Sequence, residues 1–437
     1  MKINDLLERK VLLWGYGLEG KSALDLLLSR GAERELVVAS AKPVEEKIEG
    51  VKFIGEEQIL EQDFDVLIKS PGVSFYRREI EILENRGVLV TSILNILLAE
   101  VSARGHPKTI ALSGTKGKST TVSMCHAMLE QLGFRTLALG NMGVSFLDAL
   151  DSLASYDYLV LELSSCQLKN ILYRVDYGLL LNLFPEHIDW HGSHENYFRD
   201  KLNLVKYSNK CFINYADPIT SSYVDRSSHR YFFASEDSFH LEGRFLCHAR
   251  DKILDIGSLE NLRGAHVFTN LCGPLAILRE EGLDVPRALE GLKNFKALPH
   301  RLEVFYEDRS RGIRFVDDSI ATIPEASLEA LRTFGGDKIF LILGGFDRQQ
   351  DYSKIIDFLE KAENVRKVFL VGQTGKKIRN SLKKSEYFED FGDLVRALKT
   401  HDLADTTVLL SPGAASFDMF KNFEDRGNIF RELMLSR

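Results

Sequence analysis

The densest chemistry in the sequence lies in Ser113-Gly114-Thr115-Lys116-Gly117-Lys118-Ser119-Thr120. Gly114 and Gly117 let backbone close around phosphate oxygens, and a helix predicted to open near Lys118 presents unpaired N–H groups. Lys118 supplies a cation, and the Ser119 hydroxyl can reach Mg2+. The run departs from G-x-x-x-x-G-K-[ST] in one place, with Leu112 where the first glycine belongs. A second glycine turn, Gly15-Tyr16-Gly17-Leu18-Glu19-Gly20, also follows a predicted strand and opens a helix, a setting that can hold a diphosphate. No acidic ribose contact follows Leu36–Ala39, where Ser40-Ala41-Lys42 stand instead. On these residues alone a uridine diphosphate and a dinucleotide both remain open.

Other candidates stand at predicted element ends, where α/β domains place ligands. Glu162 closes an apolar strand in Leu161-Glu162-Leu163-Ser164-Ser165, and taken alone it reads equally as an ion-paired structural glutamate or a metal ligand. His187, in Pro185-Glu186-His187-Ile188-Asp189, follows the next strand, so both side chains can converge at the sheet edge that carries the phosphate loop. Lys201, in Phe198-Arg199-Asp200-Lys201-Leu202, has the ordinary reading of a solvated helix lysine. His300-Arg301, Asp317-Asp318-Ser319 and Ser411-Pro412-Gly413-Ala414-Ala415-Ser416 read individually as turns or caps.

The elements that must position these groups alternate as strand and helix. Short apolar runs at Lys10–Gly15, Leu36–Ala39, Val66–Lys69 and Val88–Thr91, with a helical pattern at Lys21–Arg30, imply βαβ units and a parallel sheet. After Ala103-Arg104-Gly105-His106-Pro107 a second series starts at Thr109–Ser113 and includes Tyr158–Leu163 and Tyr177–Leu183, apolar enough to be covered on both faces. A third, after Ala297-Leu298-Pro299-His300, comprises Ile313–Val316, Lys338–Leu343, Lys367–Val371 and Thr407–Leu410. The expectation is α/β with three domains, at 1–103, 104–298 and 299–437, in keeping with 437 residues of which 44% are apolar. A formal net charge of −7 argues against attraction to nucleic acid or an anionic membrane surface. Five scattered cysteines without C-x-x-C spacing fit a reducing cytoplasm, and the apolar run Val11–Trp14 is too short for a signal segment.

Taken in order, these segments resemble the Mur ligase family, and within it the members that add glutamate, over essentially the whole chain. The resemblance rests on Gly114–Thr120, Gly140-Asn141-Met142-Gly143, Leu161–Leu168, Pro185–Asp189 with Tyr197 and Lys201, Leu298–Arg301, Asp318–Thr322 and Leu410–Gly427. It implies a Rossmann-like N-terminal domain, a central P-loop ATPase domain with a parallel sheet, and a Rossmann-like C-terminal domain. It also implies ATP-dependent addition of D-glutamate to UDP-N-acetylmuramoyl-L-alanine through an acyl phosphate, in cell-wall synthesis. By the same resemblance the sugar nucleotide is held by Gly15, Gly17, Gly20, Ser40, Ser70, Gly72 and Asn141. Gly114, Thr115, Gly117, Lys118, Ser119, Thr120, Asn270, Arg301 and Asp318 hold ATP. Ser119, Glu162, His187 and Lys201 attend two Mg2+ ions, with Lys201 carbamylated and so an anionic oxygen ligand. Thr322, Arg348, Ser416 and Phe423 surround glutamate. A cytoplasmic monomer, without nucleic acid or membrane insertion, that closes near Leu298–His300 during catalysis is expected.

The chain departs from the family pattern at several points. An aspartate-serine-lysine run reads Asp318-Ser319-Ile320, Ile323 and Val267 stand for asparagines, the acidic uridine contact is absent around Ala39-Ser40, and the glycine loop reads Gly344-Gly345-Phe346-Asp347-Arg348. Arg348 there can grip a carboxylate with two parallel hydrogen bonds. These changes admit L-glutamate as an alternative amino acid. Another muramyl-peptide or folylpolyglutamate-type ligase would share the ATP centre. A P-loop kinase or a nonenzymatic nucleotide-binding scaffold would have no use for Glu162, His187, Lys201 and Arg301 in this order.

Overall fold

The computed structural model describes residues 1–140, 145–224, 230–259, 262–296 and 298–436. They form two compact units, Met1–Leu259 with Val267–Phe295, and Glu260–His266 with Lys296–Arg437.

The first unit holds two parallel sheets. One runs in the order Val51–Gly55, Leu36–Ser40, Val11–Trp14, Val66–Lys69, Leu89–Thr91, so the strand order reverses beside Val11–Trp14. That switch point opens a crevice at the strands' carboxyl ends, where the Gly15–Gly20 turn lies. The helix Leu18–Ser29 turns Ala23, Leu24 and Leu27 into the core, and each leucine contributes about 2 kcal/mol by leaving water. The other sheet has the order Arg230–Phe233, Ser208–Asn214, Val175–Leu180, Lys108–Ser113, Tyr158–Glu162, Thr136–Leu139. Three of its four inner strands lead into the phosphate loop, Glu162 and the His187 segment, so candidates far apart in sequence share one edge.

Two elements escape the sequence reading. Tyr177–Leu183 was expected as a strand, but the ladder spans Val175–Leu180, because beyond it the Asn182 side chain bonds the phosphate loop. A three-stranded antiparallel sheet, Phe239–Glu242, Phe245–His248 and Asp251–Asp255, is too short-stranded to stand out in the pattern.

The second unit carries the order Glu303–Asp308, Ile313–Asp317, Thr406–Leu410, Lys338–Gly344, Val365–Val371, Ser385–Phe388, parallel except for the first strand. Asp317-Asp318, Ser411–Ser416 and Gly344–Arg348 therefore follow three adjacent strands at their carboxyl ends.

Candidate active site

The phosphate loop is built from both sides. Gly117, with φ of 84°, is the left-handed cap of the helix Lys118–Gln131, and a side chain there would collide with the Asn270 amide nitrogen. Asn182 brackets Lys116, accepting from its N–H at 2.9 Å and donating to its carbonyl at 2.9 Å. Thr115 donates its N–H to the Asn182 carbonyl at 2.9 Å, and its hydroxyl lies 2.9 Å from the Tyr197 hydroxyl. Lys118 turns back onto the Gly114 and Thr115 carbonyls, both at 3.1 Å. Ser119 is buried in the first turn of the helix, with Thr120 beside it.

Lys201 is not a solvated lysine. It is 2% exposed, and its Nζ donates to the Gly114 carbonyl at 2.8 Å. Burial, reinforced by Lys118, pushes its amine well below the usual lysine range, which favours the neutral, nucleophilic form that carbamylation requires. Glu162 is 3% exposed, and one of its carboxylate oxygens has no hydrogen-bond partner among the described residues. A buried carboxylate oxygen without a partner is costly unless something binds it, and a cation fits. His187 sits at φ of 55° as the cap of the short helix Ile188–His191. Burial lowers its imidazole pKa although Glu186 opposes the shift, which favours the neutral ring that can coordinate a metal. At Glu186 burial works to raise the carboxyl, but Lys116, His187 and Lys118 outweigh it and hold it below the ordinary range. Lys116, Lys118, Lys201, Glu186 and His187 thus form one interacting charge cluster. Among the described residues no three His, Cys, Asp or Glu side chains gather into a metal cage. A divalent ion would take few protein ligands and complete its shell with phosphate and water, the habit of Mg2+.

The N-terminal turn is equally tight. Any side chain on Gly20 would strike the Gly15 carbonyl, which also accepts the Ser70 hydroxyl at 3.2 Å. Gly17 and Gly72 are exposed, and the Ser40 hydroxyl accepts the Lys42 N–H at 3.3 Å. Asn141 lies outside the described residues. Beneath the turn sit Glu19 and Lys69. Burial raises the Glu19 carboxyl to about 7 against Gln167 and Lys69, and lowers the Lys69 amine to about 8 against Cys166 and Glu19.

In the second unit Asp318 accepts the Ser411 hydroxyl at 2.7 Å and the Leu302 N–H at 3.2 Å, and burial raises its carboxyl to about 7, opposed by Ser411, Leu302 and Arg301. Ser319 donates to the Phe423 carbonyl at 2.8 Å, Ser416 is 2% exposed, and Thr322 is partly buried. Arg348 is exposed, with its guanidinium 5.7 Å from the Phe417 ring centre. The buried Arg426 donates to the Ser319, Ala414 and Ala415 carbonyls and so joins these segments.

Asn182, Glu186, His191 and Asp200 received no role from the sequence. Asn182 carried a usable signal, a polar residue inside Leu179–Leu183. Asp200 carried none, because its partners lie at Tyr76, Lys169 and His191.

Comparison with known proteins agrees with this architecture. The Mur ligase middle domain family matches residues 112–273, and the family described as Mur ligase, glutamate ligase domain matches residues 300–414. A Xanthomonas euvesicatoria protein named UDP-N-acetylmuramoyl-L-alanine--L-glutamate ligase is 32% identical, over 99% of this chain and 96% of its own length. A Natranaerobius thermophilus protein named UDP-N-acetylmuramoylalanine--D-glutamate ligase is 30% identical, over 98% of each. The crystal structure of MurF ligase from Thermotoga maritima in complex with ADP superposes with a TM-score of 0.59 at 17% identity, covering 99% of this chain and 96% of that one, a likeness of fold.

Proposed function

The chain belongs to the Mur ligase family, and from that premise we propose that it is an ATP-dependent ligase joining glutamate to UDP-N-acetylmuramoyl-L-alanine in peptidoglycan synthesis. The alanyl carboxylate attacks the γ-phosphorus of ATP, ADP leaves, and an acyl phosphate forms. The glutamate amine then attacks the carbonyl carbon, phosphate leaves, and the amine loses a proton as the amide forms. Positioning and charge neutralisation carry most of this chemistry.

The observation that carries the reading is the Gly114 carbonyl, which receives both Lys118 and the buried Lys201, so the phosphate loop and a lysine on a distant helix form one centre. In this reading Lys118 and the loop N–H groups cradle the phosphates. Ser119, Glu162, His187 and a carbamylated Lys201 hold two Mg2+ ions. The Glu162 oxygen that lacks a partner among the described residues supports that assignment. Mg2+ supplies neutralisation of the charge that develops on the transferred phosphoryl group. Residues 1–103 hold the uridine diphosphate at Gly15–Gly20, Ser40, Ser70 and Gly72. Residues 104–298 bind ATP, with Asn270 against the loop. Residues 299–437 contribute Arg301 and Asp318 to ATP, and Thr322, Arg348, Ser416 and Phe423 to glutamate. The enzyme is read as a cytoplasmic monomer; no helix among the described residues is long and apolar enough to cross a membrane.

D-glutamate is the expected amino acid. L-glutamate is a second reading, favoured by Ile320 in place of a lysine, by Arg348 as a replacement carboxylate contact, and by the name of the Xanthomonas relative. Incubating purified protein with UDP-N-acetylmuramoyl-L-alanine, Mg-ATP and each enantiomer separately should release phosphate and give a product heavier by one glutamyl residue with one of them. Absence of both signals with either enantiomer overturns the ligase assignment.

A further inference from the structure

Asp200 is 1% exposed, and its carboxylate gathers partners from three places in the chain. The Tyr76 hydroxyl lies 3.1 Å from both of its oxygens, Lys169 Nζ lies 3.6 Å from one, and His191 Nδ1 lies 2.8 Å from the other. His191 is fully buried, and its Nε2 lies 2.9 Å from the hydroxyl of Ser165, itself 2% exposed. An ionised carboxylate can only accept, so we assign a ring proton to Nδ1, donated to Asp200, with the Ser165 hydroxyl at Nε2. At 2% exposure Ser165 has almost no contact with solvent, so this chain of contacts does not have the open nucleophile of a hydrolytic triad. What it does is mechanical.

Each partner adjoins a residue of the reaction centre. Asp200 precedes Lys201, His191 closes the short helix capped by His187, and Ser165 stands three residues after Glu162. Tyr76 belongs to the loop that begins at Ser70 and Gly72, whose other ties run from Trp190 Nε1 to the Pro71 carbonyl at 2.9 Å and from the Ser74 hydroxyl to the Trp190 carbonyl at 2.6 Å. We propose that Asp200 is a positioning residue for the ligation: through His191 it sets the turn that carries Glu162, and through Tyr76 it sets the sugar-nucleotide loop, holding both against the helix of Lys201. The inference rests on the ligase reading above. Its physical basis is that outer carboxylates fix the orientation of groups that themselves touch metal and substrate.

The test uses the full chain with Asp200→Ala, Ser165→Ala and Tyr76→Phe, melting temperatures, and two binding measurements that need no turnover: Mn2+ with ADP followed by electron paramagnetic resonance, and UDP-N-acetylmuramoyl-L-alanine by calorimetry. Removing such support typically costs about 10–100-fold in metal affinity or activity, so Ser165→Ala should weaken Mn2+ by about tenfold and leave the sugar nucleotide unchanged. Tyr76→Phe should do the reverse. Asp200→Ala should weaken both, and where it fails to fold the two milder variants decide. Wild-type affinities for both ligands in folded Ser165→Ala and Tyr76→Phe, even with lowered melting temperatures, overturn the proposal and leave the cluster a structural keystone. Product formation by the unaltered enzyme separately decides the ligase reading.

Discussion

A lysine buried to 2% exposure, with a carbonyl, a hydroxyl and the Tyr197 ring as its contacts and no carboxylate paired with it among the described residues, would be a costly choice for stability alone. The more economical account is that Lys201 is kept neutral so that its amine can take up carbon dioxide and become an anionic ligand. Lys201→Ala should therefore lower kcat about 100-fold, with partial rescue by formate or acetate placed where the carbamate oxygens stood. Full activity in the variant, indifferent to short carboxylates, would reject carbamylation. Glu19 gives a pH prediction. In the folded protein burial raises its carboxyl to about 7, against 4.5 unperturbed, so its contribution to stability is complete below pH 4.5 and is lost as pH rises through 7. Lys69, lowered to about 8, stays charged over most of that window, but from about pH 7 upward its loss of a proton in the folded protein recovers a little stability and opposes the Glu19 slope. Urea unfolding of the wild type should lose up to about 3 kcal/mol between pH 4.5 and 8 from this group, and Glu19→Gln should flatten that loss. An unchanged slope would show that Glu19 does not titrate with folding.

At the scale of elements, the phosphate loop shows how a short run constrains its surroundings. Gly117 needs both its left-handed backbone and the space that Asn270 occupies. Gly117→Ala adds about 1–2 kcal/mol of backbone strain and displaces Asn270, so the KM for ATP should rise about tenfold or more with little change in the KM for the sugar nucleotide. Steady-state kinetics on the folded variant checks this, and an unaltered ATP KM would detach Asn270 from nucleotide binding. The loop was legible because its glycines, lysine and hydroxyls are contiguous. So was the central strand at Tyr158–Leu163, whose apolar run was expected to be covered on both faces and whose strand Tyr158–Glu162 is buried throughout. What stayed hidden depends on contacts distant in sequence. The end of Val175–Leu180 is set by Asn182 turning to Lys116, the burial of Lys201 is decided by Gly114 and Tyr197, and Glu303–Asp308 pairs antiparallel only because Ile313–Asp317 lies beside it. An isolated Lys or Asp on a helix has no local signature of its burial, so Lys201 is legible only through resemblance and Asp200 only in the folded chain.

For the whole molecule, the proposed roles fall on two compact units, each presenting its residues at the carboxyl ends of a sheet. Amide formation requires the amine and the acyl carbon to approach to about 3–3.5 Å, so the proposed function carries the expectation of closure on ligand binding. We expect that closure near Leu298–His300, which follows the change of unit between Phe295 and Lys296 in the chain. Small-angle scattering should show a smaller radius of gyration when Mg-ADP and the glutamyl product are present together than for the free protein. Arg301→Ala, which removes a cation assigned to the phosphates, should blunt that change while the sugar nucleotide still binds. The two measurements separate the possibilities: compaction that survives in the variant would place the driving contact elsewhere in residues 299–437, and no compaction in the wild type would count against closure.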